Sequence, residues 1–176
     1  MIKLLNILRE NKILIPRRSK EERQKNYLIA IEKKIQQYIK DGSKGDLNLR
    51  NAPIKSLGNL TSVGDTLNLS DTPIESLGNL TSVGGNLYLK GTPIKSLGNL
   101  TSVGGNLYLE GTPIKVLPTG LKVDGYLGLQ QTPIETLPKD LEVNWILVLT
   151  NTPLSKKHTE EEIRQMVPNV TGEILL

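Results

Sequence analysis

From Leu47 to Pro153 the chain repeats itself every 20 residues, and two consecutive units, 73–92 and 93–112, differ only at Glu75/Lys95 and Lys90/Glu110. A fixed period of this length is the signature of an array in which each unit packs against the next. Aligned at that period, Leu47, Leu67, Leu87, Leu107, Leu127 and Leu147 form one apolar column, and Leu49, Leu69, Leu89, Leu109, Leu129 and Leu149 a second. Ile54, Ile74, Ile94, Ile114, Ile134 and Leu154 form a third, with further columns at Leu57 to Leu137 and at Val63 to Val143. One unit is too small to bury these positions by itself. Stacking sets each column against itself in the neighbouring coil and builds one continuous core.

Two leucines separated by one residue are the period-2 mark of a short strand with both side chains on one face. In a solenoid such strands stack in parallel. A four-sided coil of pentapeptides would also close in 20 residues, but it places one apolar residue every five positions. The apolar steps here (Leu107, Leu109, Ile114, Leu117, Leu121, Val123) are irregular and disfavour that geometry. Pro53, Pro73, Pro93, Pro113, Pro133 and Pro153 follow each strand and end it, because proline has no N–H for a ladder.

The pattern Leu-x-Leu-x-x-Thr-x-Ile resembles the leucine-rich repeat, with Thr72, Thr92, Thr112, Thr132 and Thr152 where that family usually has Asn or Cys. A threonine hydroxyl can serve the turn backbone as the amide does, with fewer hydrogen bonds. Leu117-Pro118-Thr119-Gly120-Leu121 and Leu137-Pro138-Lys139-Asp140-Leu141 look like the short repeats of bacterial effectors. Units such as Ser76-Leu77-Gly78-Asn79-Leu80-Thr81-Ser82-Val83 are more similar to receptor L-domain coils. The resemblance covers residues 43–154. It implies an α/β solenoid with a parallel sheet and a role in binding macromolecules, without naming the partner. Many of the effectors carry a cysteine-dependent ubiquitin ligase domain, an activity that is not carried over to a chain with no cysteine.

The absence of cysteine also excludes disulfides, thiolate metal sites and a cysteine nucleophile. The opening residues are interrupted by Lys3, Arg9 and Glu10 and make a poor signal peptide. No run approaches the roughly 18 apolar residues of a membrane span. The expectation is a cytoplasmic protein, in the host cytoplasm if phage-encoded, with no membrane partner.

Each end of a solenoid core needs a closure. Residues 1–42 are read as an N-terminal helical cap. Within it, 1–15 is one helix candidate; Ser19-Lys20-Glu21-Glu22 opens a second as a capping box, with Leu28, Ile31, Ile35 and Ile39 on one face and Gly42 as its stop. Residues 155–176 are read as a C-terminal cap. Its helix starts at Thr159-Glu160-Glu161-Glu162 and ends near Pro168; the segment 172–176 then forms a seventh strand. Six steps of about 4.8 Å give a sheet roughly 29 Å across. The outer edge of that last strand offers unpaired backbone groups and hence a possible homodimer.

Charge is divided unevenly: residues 1–44 hold twelve Lys and Arg against five Asp and Glu, and residues 45–176 hold ten against thirteen. Arg17, Arg18, Lys20, Arg23 and Lys25 could seek phosphates. The plainer reading is the solvated outer side of a helix. No catalytic constellation is found: His158 is the only histidine, and Asp124 and Asp140 sit in turns. Gly84-Gly85 and Gly104-Gly105 lack the following Lys and helix of a phosphate loop and read as corner glycines. No enzyme activity, cofactor or metal is expected.

With the odd-numbered leucines inward, positions 46, 48 and 50 and their equivalents face outward. The partner-binding candidates there are Tyr88, Lys90, Tyr108, Glu110, Tyr126, Gln130, Ile146 and Val148. Lys90 and Glu110 are expected to neutralise each other, leaving Tyr108, Tyr126, Ile146 and Val148 as an apolar run. Trp145, in the column of Gly85, Gly105 and Gly125, is expected to point inward beneath the C-terminal insert. The leading expectation is protein recognition on this face. The alternatives are nucleic-acid or nucleoprotein binding through the basic helices and structural assembly by end-to-end dimerisation. Near-identical units in a Lys-, Asn- and Ile-rich chain are similar to small repeat proteins of phages and AT-rich bacteria, which implies an inhibitor of a host or defence protein.

Overall fold

The computed structural model describes residues 19–176, and within them the repeats wind into a parallel β-solenoid, one coil per 20-residue unit. The leucine pairs form strands β1 (Leu47–Asn48), β3 (Leu67–Asn68), β5 (Leu87–Tyr88), β7 (Leu107–Tyr108), β9 (Tyr126–Gly128) and β11 (Ile146–Val148). Each strand lies beside its equivalent, so Leu47 faces Leu67, Leu67 faces Leu87 and Leu87 faces Leu107. The ladder runs forward along the array: Leu47 N–H donates to Thr66 C=O at 2.8 Å and Leu69 N–H to Tyr88 C=O at 2.9 Å. The seventh strand, β12 (Glu173–Leu175), completes this sheet beside β11, as the spacing of 172–176 predicts.

A second parallel sheet forms on another side of the coil, from β2 (Ser62–Val63), β4 (Ser82–Val83), β6 (Ser102–Val103), β8 (Lys122–Val123) and β10 (Glu142–Val143). Its valines point inward. The sequence shows this side only as a valine column, because two-residue strands leave too short a pattern to recognise. Between the sheets the chain must turn sharply, and the residue after each outward position 50, 70, 90 and so on takes a positive φ. Asn51, Asp71, Gly91, Gly111 and Asn151 are residue types that tolerate it; Gln131, at φ 59°, is the exception. The following threonine anchors the turn: the hydroxyls of Thr72, Thr92, Thr112 and Thr132 each donate to the carbonyl three residues back at 2.7 Å. These hydroxyls are buried and satisfied within the turn.

One core cluster runs from Ile35 to Ile174 through every coil. Helix α1 (Lys20–Lys40) starts on the expected capping box, with Ser19 Oγ accepting from Glu22 N–H at 3.1 Å and Glu22 Oε2 accepting from Ser19 N–H at 2.9 Å. It buries Ile35 to 3% exposure and packs Leu28, Ile31, Tyr38 and Ile39 partly against the cluster. Its polar side chains serve the first coil. Lys34 Nζ donates to Asn48 C=O at 2.7 Å, and the Tyr38 hydroxyl lies 2.9 Å from Ser43 C=O and 2.7 Å from Gly45 C=O. The helix candidate at 1–15 lies outside the described residues.

The strands end before the positive-φ turn residues and not at the prolines two residues further on; at the other end of the array, Pro153 opens a helix. Thr152 Oγ1 accepts from Ser155 N–H at 3.0 Å and caps a short helix, α2 (Pro153–Lys157), where proline's fixed φ suits the first turn. Helix α3 (Glu160–Met166) follows on its own capping box of Thr159 and Glu162, stops at Val167 before Pro168, and buries Ile163 and Val167 in the core. The two helices occupy the longer step from Ile146 to Glu173, its partner in the last strand. Among the described residues, no helix is long and apolar enough to cross a membrane.

Candidate functional site

The outward face of the seven-stranded sheet is where the coils differ chemically, and in-register pairing converts sequence differences into rows. Tyr88 and Tyr108 stand on adjacent strands with ring centroids 4.8 Å apart and planes within 6°. That separation matches the strand spacing. Two identical side chains at one column can therefore stack face to face. Tyr108 in turn lies 5.4 Å from Tyr126, tilted by 37°.

Tyr126 reaches this row from the neighbouring column. The central column continues past Tyr108 with Gly128, and a Cβ there would lie 2.7 Å from the Tyr126 hydroxyl and 2.5 Å from its ring. The Tyr126 side chain thus lies across the glycine and fills the place of a third stacked tyrosine. Its hydroxyl contacts Glu110 Oε1 at 3.0 Å and accepts a hydrogen bond from Gln130 Nε2. Gln130 Oε1 is buried without a hydrogen-bond partner among the described residues. Burial pushes the Tyr126 hydroxyl above the ordinary value of 10.0, against the Gln130 hydrogen bond and with the charge of Glu110 adding to the rise. The hydroxyl stays protonated and donates to Glu110.

Three expectations for this face are corrected. Lys90 and Glu110 make no ion pair, because Glu110 turns to Tyr126 instead. The companion charge swap behaves as a pair, with Lys95 Nζ 2.7 Å from Glu75 Oε2, and that bond holds the Glu75 carboxyl below the usual range. Val148 is buried, at 6% exposure, between Gly128 with Tyr126 over it and Leu175. Trp145 points outward and is 59% exposed. Strand parity does not govern it, since it precedes β11 at a corner. In earlier coils that corner is crowded: a Cβ on Gly105 would lie 2.6 Å from Asn86 Oδ1 and 2.9 Å from the Gly85 carbonyl carbon. At the corner of Trp145 the equivalent of that Asn is Tyr126, so the side-chain oxygen is absent there.

Tyr88, Tyr108, Tyr126, Gln130 and Ile146 are half-buried, Lys90 is exposed, and Leu175 is 40% exposed at the end of the column. The C-terminal helices pack into the core and leave the tyrosine row open. At the polar end, Arg50 contacts Asp71 Oδ2 at 3.2 Å. Of the basic candidates, Arg17 and Arg18 lie outside the described residues, and Lys20, Arg23 and Lys25 are exposed on α1. The corner glycines are explained by crowding, with a Cβ on Gly64 falling 2.7 Å from Ser43 C=O. No group of metal-ligating side chains occurs among the described residues. The sequence pointed to the tyrosine column. It carried no signal for the shielding of Gly128 by Tyr126, which depends on a side chain crossing between columns.

Comparison with known proteins adds no relative: no family model, curated protein or solved structure matches the chain.

Proposed function

We propose that the chain is a leucine-rich repeat solenoid, capped by α1 at its start and by α2, α3 and β12 at its end, that recognises a partner protein on the outward face of the seven-stranded sheet. The observation that carries this reading is the open row of Tyr88, Tyr108 and Tyr126, held by stacking and by the Tyr126–Glu110 hydrogen bond. Tyrosines are among the residues most often found as binding hot spots. A row already ordered in the free protein loses less entropy on binding than mobile side chains would. The turn pattern Leu-x-Leu-x-x-Thr-x-Ile, with its threonine-to-carbonyl bonds, supports the repeat type.

Affinity capture from native host cells with wild-type and Tyr108→Ala proteins tests the reading. The expected outcome is a protein retained by the wild type and weakened about tenfold or more by the substitution. Equal retention by both proteins would exclude this face as the docking site.

A further inference from the structure

We infer that the polar end of the tyrosine row is a slot for an aromatic side chain of the partner with a carboxylate beside it; this deepens the sheet-face reading and rests on it. Tyr88 gives one ring face to Tyr108, and its other face turns toward the coil of Asn68, its neighbour in register. Asn68 and Ser70 are short, so the surface steps down there. The result is a groove of about 680 Å³ lined by Tyr88, Lys90, Tyr108 and Glu110 and, toward the first coil, by Arg50 and Asp71. A ring inserted above Asn68 would sit about one strand spacing from Tyr88, which is the 4.8 Å that Tyr88 and Tyr108 already keep. The row is open to one more ring.

The charges around the step select what accompanies that ring. Arg50 is compensated by Asp71 at 3.2 Å, and Glu110, which also lines the groove and keeps its charge, has its carboxylate turned away from Asn68 to the Tyr126 hydroxyl over Gly128. Lys90 has no carboxylate within ion-pair distance among the described residues. An acidic group next to the ring therefore meets an uncompensated ammonium. Asn68 Oδ1 accepts from Ser70 N–H at 3.0 Å, which leaves the Asn68 amide hydrogens for an acceptor on the ligand. A basic flank would instead face Lys90 with like charge.

Asn68→Tyr fills the slot from within. The equivalent strand position already carries tyrosine in the next two coils, so the variant should fold with an undiminished melting temperature. In an NMR titration of the wild type, the probe acetyl-Asp-Tyr-Asp-amide should shift the Tyr88 ring and Asn68 side-chain amide signals. Lys90→Gln should weaken the probe roughly threefold, as an exposed ion pair allows, and Asn68→Tyr should abolish its binding. Acetyl-Asp-Leu-Asp-amide and acetyl-Lys-Tyr-Lys-amide should bind more weakly than the acidic aromatic probe. Absence of binding to the wild type, unchanged binding to Asn68→Tyr, or tighter binding of adenosine monophosphate at the same signals would each overturn the inference. The captured partner separates the two levels: a partner lost by Tyr108→Ala but kept by Asn68→Tyr refutes the slot and leaves the sheet face standing, whereas one kept by both variants refutes both.

Discussion

Tyr126 shows how a single side chain can belong to both the scaffold and the face. Because it covers Gly128 and hydrogen-bonds to Glu110 and Gln130, truncating it uncovers backbone and orphans polar groups. Tyr126→Ala should therefore cost about 1–2 kcal/mol in denaturant unfolding, where position alone would assign it no stability role. Tyr108→Ala loses its ring contacts and the hydrogen bond its hydroxyl accepts from Asn106 Nδ2 at 3.1 Å, and should cost about 0.5–1.5 kcal/mol. The raised hydroxyl pKa gives a second check. A group whose folded pKa lies above its unfolded value stabilises the fold at lower pH, and this contribution fades as pH rises through the folded value. Difference ultraviolet titration against Tyr126→Phe should find Tyr126 ionising above 10.0, the ordinary tyrosine value. Glu110→Gln should lower that point only in part, since burial is the leading cause.

At the scale of elements, the helices depend on caps and on a few buried side chains. Ile35 is the one residue of α1 buried in the core, while Ile31 is only partly covered. Ile35→Asp should destabilise by several kcal/mol because the charge lacks a partner, and Ile31→Asp by less; equal melting temperatures for Ile35→Asp and wild type would show that α1 is dispensable to the core. Helix α3 supplies a pH test. The Thr159 backbone N–H holds the Glu162 carboxyl below its ordinary value of 4.5, with His158 adding to the effect. Its contribution is complete above that value and is lost as pH falls through the lowered folded pKa. Glu162→Gln should flatten the acid limb of a melting-temperature profile below pH 4.5.

For the whole molecule, the period itself is the testable quantity. Registration by 20 residues means that removing 73–92 joins Thr72 to Pro93 and preserves every column. Such a protein should fold with a smaller denaturant m-value and a lower midpoint, since stability in a solenoid accumulates unit by unit. It also deletes Tyr88 and shortens the aromatic row. A duplicated 93–112 should do the reverse and extend the row by one tyrosine; circular dichroism melts and an unchanged far-ultraviolet signature per coil would check both.

The repeat, the inward leucine columns, both capping boxes and the terminal strand were legible in the sequence, because each depends on residue types at fixed short spacings. Strand parity likewise marked the tyrosine column as outward. What distance along the chain could not settle was which groups meet across coils. Glu75 and Lys95 pair while the equally spaced Lys90 and Glu110 do not, because Tyr126 competes for Glu110. Trp145 turns outward from a corner just before its strand, where parity does not apply, and Val148 is buried because a glycine beside it lets a tyrosine lie down. The period set which residues are neighbours; the competition among those neighbours for space and hydrogen bonds was decided only in the folded molecule.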